Sequence, residues 1–205
     1  MSTPKEAPVF TLPLTATSPI LVFRKSDHSL RKLLYDLFTV SARMQELRRH
    51  LGLRIGISGP QFSMMMAIAE LQAETGVSVG RIADYMHVTG TFITSESAKL
   101  IKRKLLKKHL DEQDKRLSLL SISPKGQKLI ENLFPELQQI NDVFLRLDSR
   151  DQFENLCGLL DRLVSNSQRA VALVHAAKED SRLVLNDGGL VFRKGPYSKG
   201  SELTT

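Results

Sequence analysis

Apolar residues recur at spacings of three and four through Leu30, Leu33, Leu34, Leu37, Phe38, Met44 and Leu47. That is the period of an amphipathic helix, and it predicts a long first helix over residues 29–52. At Ser58 a second helical pattern opens, with Gln61 completing a capping box and Pro60 falling in the first turn. It runs through Met64, Ile68 and Leu71 to Gly76. Ser78 caps a short helix carrying Val79, Ile82, Ala83 and Met86, and after His87 and Val88, Thr89 caps a further helix through Ile93 and Leu100 toward Leu105. Residues 106–111, a polar turn at 112–115 and the β-prone run 117–122 predict a hairpin. Ser123 with Pro124 starts a helix whose apolar positions are Leu129, Leu133, Leu137, Ile140, Phe144 and Leu147, kinked at Pro135. Asp148 or Ser149 caps a last long helix with a stripe of Phe153, Leu156, Leu160, Leu163, Ala170, Val171 and Val174.

The two ends lack this periodicity. Residues 1–27 are rich in Pro, Thr and Ser, and residues 179–205 carry Gly188, Gly189, Gly195, Pro196 and Gly200, so both are expected to be flexible arms. They share the string Leu-Val-Phe-Arg-Lys, at 21–25 and 190–194. Chance is the favoured origin of the repeat; the alternative is two extended segments docking on equivalent sites.

Composition narrows the class. With 41% hydrophobic and 25% charged residues the chain is ordinary globular protein, and no apolar run reaches the roughly 18 residues a membrane span needs. Pro4, Pro8, Pro13 and Pro19 interrupt the N-terminus, so no export signal is read there. Cys157 is the single cysteine, and His28, His50, His87, His109 and His175 are scattered without metal-ligand spacing. These features set the expectations of no metal, no cofactor and a cytoplasmic location. No nucleophile and base, glycine-rich phosphate loop or paired carboxylates stand in a known arrangement, so an enzyme is not expected.

A net charge of +7 favours a polyanionic partner. The charge is concentrated, with Lys99, Lys102, Arg103, Lys104, Lys107, Lys108 and His109 followed closely by Lys115 and Arg116. A solvated helix face is the usual meaning of such a run. Here a hairpin adjoins it, and two helices joined by a turn and followed by a two-stranded ribbon is the order of a winged helix-turn-helix unit.

The hairpin carries the most specific signal. The stretch Asp111-Glu112-Gln113-Asp114-Lys115-Arg116-Leu117-Ser118-Leu119-Leu120-Ser121-Ile122-Ser123-Pro124-Lys125-Gly126 closely resembles the wing of the MarR family (multiple-antibiotic-resistance regulators), with its Asp-x-Arg, alternating apolar residues and Ser/Thr-x-x-Gly helix start. Upstream, Val77 to Ala83 is similar to the first helix of that family's motif, Val88 to Thr94 to its recognition-helix entry, and Ser58 to Phe62 to the preceding helix start. The resemblance implies a mainly α fold with a small β-hairpin wing, six helices over about residues 28–178, and a dimer formed through the N- and C-terminal helices. Residues 28–57 and 124–178 would be dimerisation helices, and 58–123 the DNA-binding lobe.

The major groove of B-DNA admits a helix, whose N-terminal residues reach base edges. The candidates are Thr89, Gly90, Thr91, Thr94 and Ser95, with Lys99, Lys102 and Arg103 adding phosphate contacts. The resemblance assigns Arg116, and Lys115 second, to the adjacent minor groove, with Asp114 in a wing-structural role. Many family members place arginine in the first turns of the recognition helix, where this chain has Gly90, Ser95 and acidic Glu96. Specificity would then come from Thr and Ser contacts, the surroundings of Phe92, or minor-groove shape. For Phe92 and Ile93 core packing is favoured over DNA contact, and Cys157 reads as a buried inert thiol.

The function implied is a ligand-responsive repressor that binds a palindromic operator in double-stranded DNA as a homodimer, with no membrane association. Its small-molecule effector would be of the aromatic-acid type. The alternative is a dimeric winged-helix interaction protein with weak or non-specific DNA binding. Met64, Met65 and Met66 either fill the core, the favoured reading, or line an adaptable pocket.

Overall fold

The structure, a computed structural model, describes residues 10–112, 114–179, 183–186 and 189–192. Helix α1 (His28–Arg54) follows the leucine stripe, and α2 (Gly59–Leu71) begins at the capping box. The Ser58 hydroxyl accepts from the Gln61 amide, and the Gln61 side chain accepts from the Ser58 amide at 3.1 Å. Helix α2 stops five residues short of the expected Gly76. Gln72 turns extended, and Ala73 and Gly76 close a tight turn in which Gly76 takes φ +96°, a backbone region costly for any residue with a Cβ. The turn delivers β1 (Val77–Ser78), which the periodicity had not announced.

Helix α3 (Val79–Met86) and helix α4 (Gly90–Lys102) follow, capped by Ser78 and Thr89 as expected. Between them His87 takes the left-handed conformation that ends α3. Strands β2 (Leu106–Leu110) and β3 (Ser118–Ile122) form the predicted hairpin, and β1 adds to the other edge of β3, giving the antiparallel order β1-β3-β2. Leu120 pairs with both Val77 and Lys108, so β3 is the central strand.

The helix expected to bend at Pro135 is two helices. These are α5 (Pro124–Glu131), capped by Ser123, and α6 (Phe134–Phe144). Pro135 is the second residue of α6, where its missing amide costs nothing, and the break falls just before it, at Asn132 and Leu133. Glu136 accepts from Arg54 at 3.3 Å and lies 2.6 Å from the His50 ring nitrogen, fastening the end of α1 to α6. With α7 (Arg150–Glu179) the described residues hold seven helices rather than six. Ser149 is the residue that caps α7, accepting from the Gln152 amide.

The chain divides into two units, one through Ile140 and one from Asn141 onward. In the first, Met64, Met65, Ile68, Ile82, Ile93, Leu100, Leu105 and Leu120 are almost wholly excluded from solvent. Met64 and Met65 are thus core, as is Ile93. The first half of α1 is different: Leu33, Leu34, Leu37, Phe38 and Val40 are all exposed. In the second unit, Leu159, Leu160, Leu163, Val164, Val171 and Val174 of α7 are exposed too, as is Cys157, which the sequence had led us to expect buried. Beyond α7, within the segment expected to be an arm, β4 (Leu183–Asn186) pairs antiparallel with β5 (Gly189–Phe192). The repeated string therefore adopts two local structures, a tight turn bridging Phe23 and Ser26 and, over 190–192, a strand; Arg193 and Lys194 lie outside the described residues.

Residues 10–27 are pinned at their end. The buried carboxylate of Asp27 accepts from both the amide and the hydroxyl of Thr15 at 2.6 Å and pairs with Arg31. Although Asp27 sits at the N-cap of α1, its side chain makes no capping bond. The Thr15 hydrogen bonds, above all, hold its pKa below the ordinary 3.8, with Arg31 assisting against the opposing effect of burial. A depressed folded-state pKa means the contact is fully present above about pH 4 and is lost as the pH falls through the lowered value. Asp27→Ala should therefore expose residues 10–26 to proteolysis at neutral pH with α1 intact, and the wild type should match it only in acid. Equal protection of both proteins at pH 7 would contradict this.

Candidate nucleic-acid interface

A local cap fixes where α4 begins. Thr89 spends its hydroxyl as an acceptor for the Phe92 amide, which leaves the amides of Gly90 and Thr91 at the start of α4 without a cap. Those amides, at the positive end of the helix dipole, suit an anionic oxygen. A Cβ at Gly90 would meet only Val79 at 3.8 Å, so packing does not require glycine there. Thr94 donates to the Gly90 carbonyl, whereas Thr91 and Ser95 are exposed, and among the described residues nothing bonds their hydroxyls.

The wing tip is built by two aspartates. Asp111 accepts from the Asp114 amide and Asp114 accepts from the Arg116 amide, each at 2.9 Å. Backbone bonds from Leu117 to Asp114 and from Asp111 to Leu117 close the loop. Asp114 thus fixes the backbone of Arg116 and makes no ion pair with its guanidinium. Lys115 and Arg116 are exposed, and among the described residues neither they nor Lys102 pair with a carboxylate.

Helix and wing meet across one groove of about 450 Å³, bordered by Thr94, Ser97 and Ala98 of α4 and by Lys108, Arg116 and Leu117 of the ribbon. Lys99 and Arg103 lie on another flank of α4. Lys99 pairs with Glu96 at 2.5 Å, and Arg103 donates to the Gly56 carbonyl in the α1–α2 connection.

This architecture occurs in solved regulators. The S. aureus MepR–DNA complex superposes with a TM-score of 0.56 at 19% identity, covering 64% of this chain and 96% of that one. CouR from Rhodococcus jostii RHA1, bound to p-coumaroyl-CoA, superposes with a TM-score of 0.58 at 16% identity, covering 64% and 90%. The chain has the fold of the MarR-type winged-helix regulators. By sequence it is 27% identical over 86 residues to an uncharacterized HTH-type transcriptional regulator of Bacillus subtilis, a match spanning 42% of this chain and half the length of that relative. No sequence-family model matches.

Against that MarR-type frame, two features had no signature in the sequence. The first is the orientation of Glu96. Its side chain is only 15% exposed and accepts from the Gln61 amide group at 2.9 Å, so it faces α2 rather than the outer surface of α4. The Lys99 hydrogen bond, foremost, holds its carboxyl below the ordinary range, with Gln61 assisting against desolvation. The second is a cleft of about 830 Å³ between the end of α1, the start of α2 and the α3–α4 turn, lined by Arg48, Arg49, Pro60, Met86, Val88 and Phe92 among others. A smaller cavity of about 500 Å³ shares Arg48, Ser63 and Met86 with it and adds Met66, Phe62 and Tyr85. Of the three consecutive methionines, Met66 lines this smaller cavity.

Proposed function

We propose that this chain is a MarR-type transcriptional regulator that binds a palindromic operator as a homodimer and responds to a small anionic effector, acting as a repressor in the cytoplasm. Its strongest support is the shared groove: the outer face of α4 and Arg116 of the wing border the same concavity, so one approach of a duplex meets both. In this reading Thr89, Gly90, Thr91, Thr94 and Ser95 enter the major groove, Lys102 meets the phosphate backbone, and Arg116 with Lys115 reaches the neighbouring minor groove.

Dimerisation is supported by the apolar stripes of α1 and α7, each exposed within its own unit. Burying one such Leu or Phe side chain contributes about 1.5–3 kcal/mol. A two-fold pair would set two recognition helices about 34 Å apart, one turn of DNA. No helix among the described residues is long and apolar enough to cross a membrane, and the Bacillus subtilis relative is described as a transcriptional regulator, in keeping with a role without catalysis.

The effector is placed in the Arg48–Phe92 cleft. Its two arginines suit a carboxylate and its Met86, Val88 and Phe92 suit an aromatic or acyl body. A ligand there regulates only by preferring one arrangement of α1 against α4 over the other. The engagement of Lys99 and Arg103 within the fold favours the second reading, a dimeric interaction protein that binds duplexes weakly. A footprint on the flanking intergenic DNA separates the two: a protected palindrome that aromatic acids release supports the regulator, and uniform weak protection supports the interaction protein.

A further inference from the structure

Lys99 and Glu96 stand out among the charges of α4. Phe92, Glu96, Lys99 and Arg103 form one flank of the helix, and three of them are directed to the α1–α2 region: Phe92 lines the cleft at Ser58–Ser63, Glu96 bonds Gln61, and Arg103 bonds Gly56. Glu96 is therefore fixed from two sides, by Gln61 and by Lys99, while Lys99 is 59% exposed and held at one end only.

We infer that Glu96 is a specificity-determining residue which cancels the charge of Lys99 and so keeps this flank of the recognition helix from adding sequence-independent attraction to DNA. An exposed ion pair by itself is weak, at most about 1 kcal/mol, so a phosphate has the strength to draw Lys99 away. Doing so strands a largely buried carboxylate beside a polyanion. While Lys99 stays on Glu96, the pair brings no net positive charge to the duplex and releases no counterion. Glu96 is also withheld from the bases, because its oxygens face Gln61 and Lys99 rather than the groove. What remains on the outer face of α4 is hydroxyl-bearing and nearly neutral apart from Lys102. Discrimination then rests on close contacts rather than on charge.

This rests on the DNA-binding reading above, and a salt titration distinguishes its failure from the failure of that reading. Affinities of the full-length protein for a random duplex and for its upstream intergenic duplex are measured across a range of KCl for the wild type, Lys99→Ala, Glu96→Gln and the double variant. Glu96→Gln keeps an oxygen for Gln61 and frees Lys99. It should steepen the slope of log K against log salt by about 0.9 for each protomer bound, raise affinity for the random duplex severalfold, and lower the preference for the upstream duplex. Lys99→Ala should leave the slope of the wild type unchanged, and adding it to Glu96→Gln should restore that slope. A slope that falls by about 0.9 per protomer in Lys99→Ala alone, or one that does not move in a folded Glu96→Gln, overturns the inference. If Glu96→Gln melts below the working temperature, Lys99→Ala alone decides. A wild type that binds neither duplex overturns the DNA-binding reading itself, and this inference with it.

Discussion

Replacing Arg116 by alanine is expected to weaken operator binding on the order of tenfold to a hundredfold, with no change in the dimer or in thermal stability. The size follows from the loss of one base-edge or minor-groove arginine contact, about 1–3 kcal/mol. Stability is spared because the wing turn is held through backbone groups: Asp114 accepts from the amide of Arg116, and Leu117 donates to the Asp114 carbonyl. The guanidinium makes no pair among the described residues and is exposed, so its removal leaves the turn intact and takes away only what it offers to a ligand. Gel-shift titration together with sedimentation checks both halves. Unchanged affinity would remove the wing from the interface, and a dissociated dimer would show that Arg116 acts through the fold.

The second large effect is expected at Gly126. In α5 a Cβ there would lie 2.3 Å from the Leu105 carbonyl oxygen and 3.1 Å from Ile122. The nearer neighbour is backbone and is already engaged, since Leu105 accepts from the Ser123 amide at 3.0 Å while the Gly126 amide donates to the Ser123 hydroxyl. Gly126→Ala must push α5 away from the end of β3. Overpacking of this kind costs about 1–3 kcal/mol, and a contact this short with backbone belongs at or beyond the upper end. A fall in Tm of several degrees and a loss of DNA binding below that Tm are the expected results, because strand β3, which carries the wing, loses its packing against α5. A variant with wild-type Tm would mean that α5 does not seat against Leu105 in solution.

That contact also explains why the wing could be read from sequence. Ser-x-x-Gly couples an N-cap to a position without room for a Cβ, and both requirements are local and chemically narrow. The same holds for Ser58 with Gln61, Ser78 and Thr89, whose caps set the starts of three helices within a residue or two. Where one element ends because of another, sequence was a poorer guide. Helix α2 was read five residues too long, since the turn at Gly76 is decided by the pairing of β1 with β3. The break before Pro135 was read as a kink because the apolar period of Leu129, Leu133 and Leu137 runs through it. The β4–β5 hairpin had a signal in Asn186-Asp187-Gly188-Gly189 between two β-prone runs, which glycine-rich composition obscured.

Within the site, Thr89, Thr94 and Arg116 were legible as residue types in a known order, and the groove brings the last two together. The partner of Arg103 was not, because it depends on the packing of α4 against the loop before α2, whereas Glu96 lies one turn before Lys99 on the same helix. Glu96 shows the difference best: on paper it is an acid facing DNA, and in the fold it is an acid facing Gln61. The Thr15–Asp27–Arg31 knot was hidden for the same reason, since two of its members are twelve residues apart in a segment without periodicity.

The most direct check is a comparison of affinity for the upstream intergenic duplex and for a scrambled duplex of equal length, repeated over a salt series. A hydroxyl-bearing recognition helix and a basic wing entering adjacent grooves predict a preference of about a thousandfold or more at physiological salt, and an affinity for both duplexes that falls as salt rises. Equal, salt-insensitive binding to the two would contradict it.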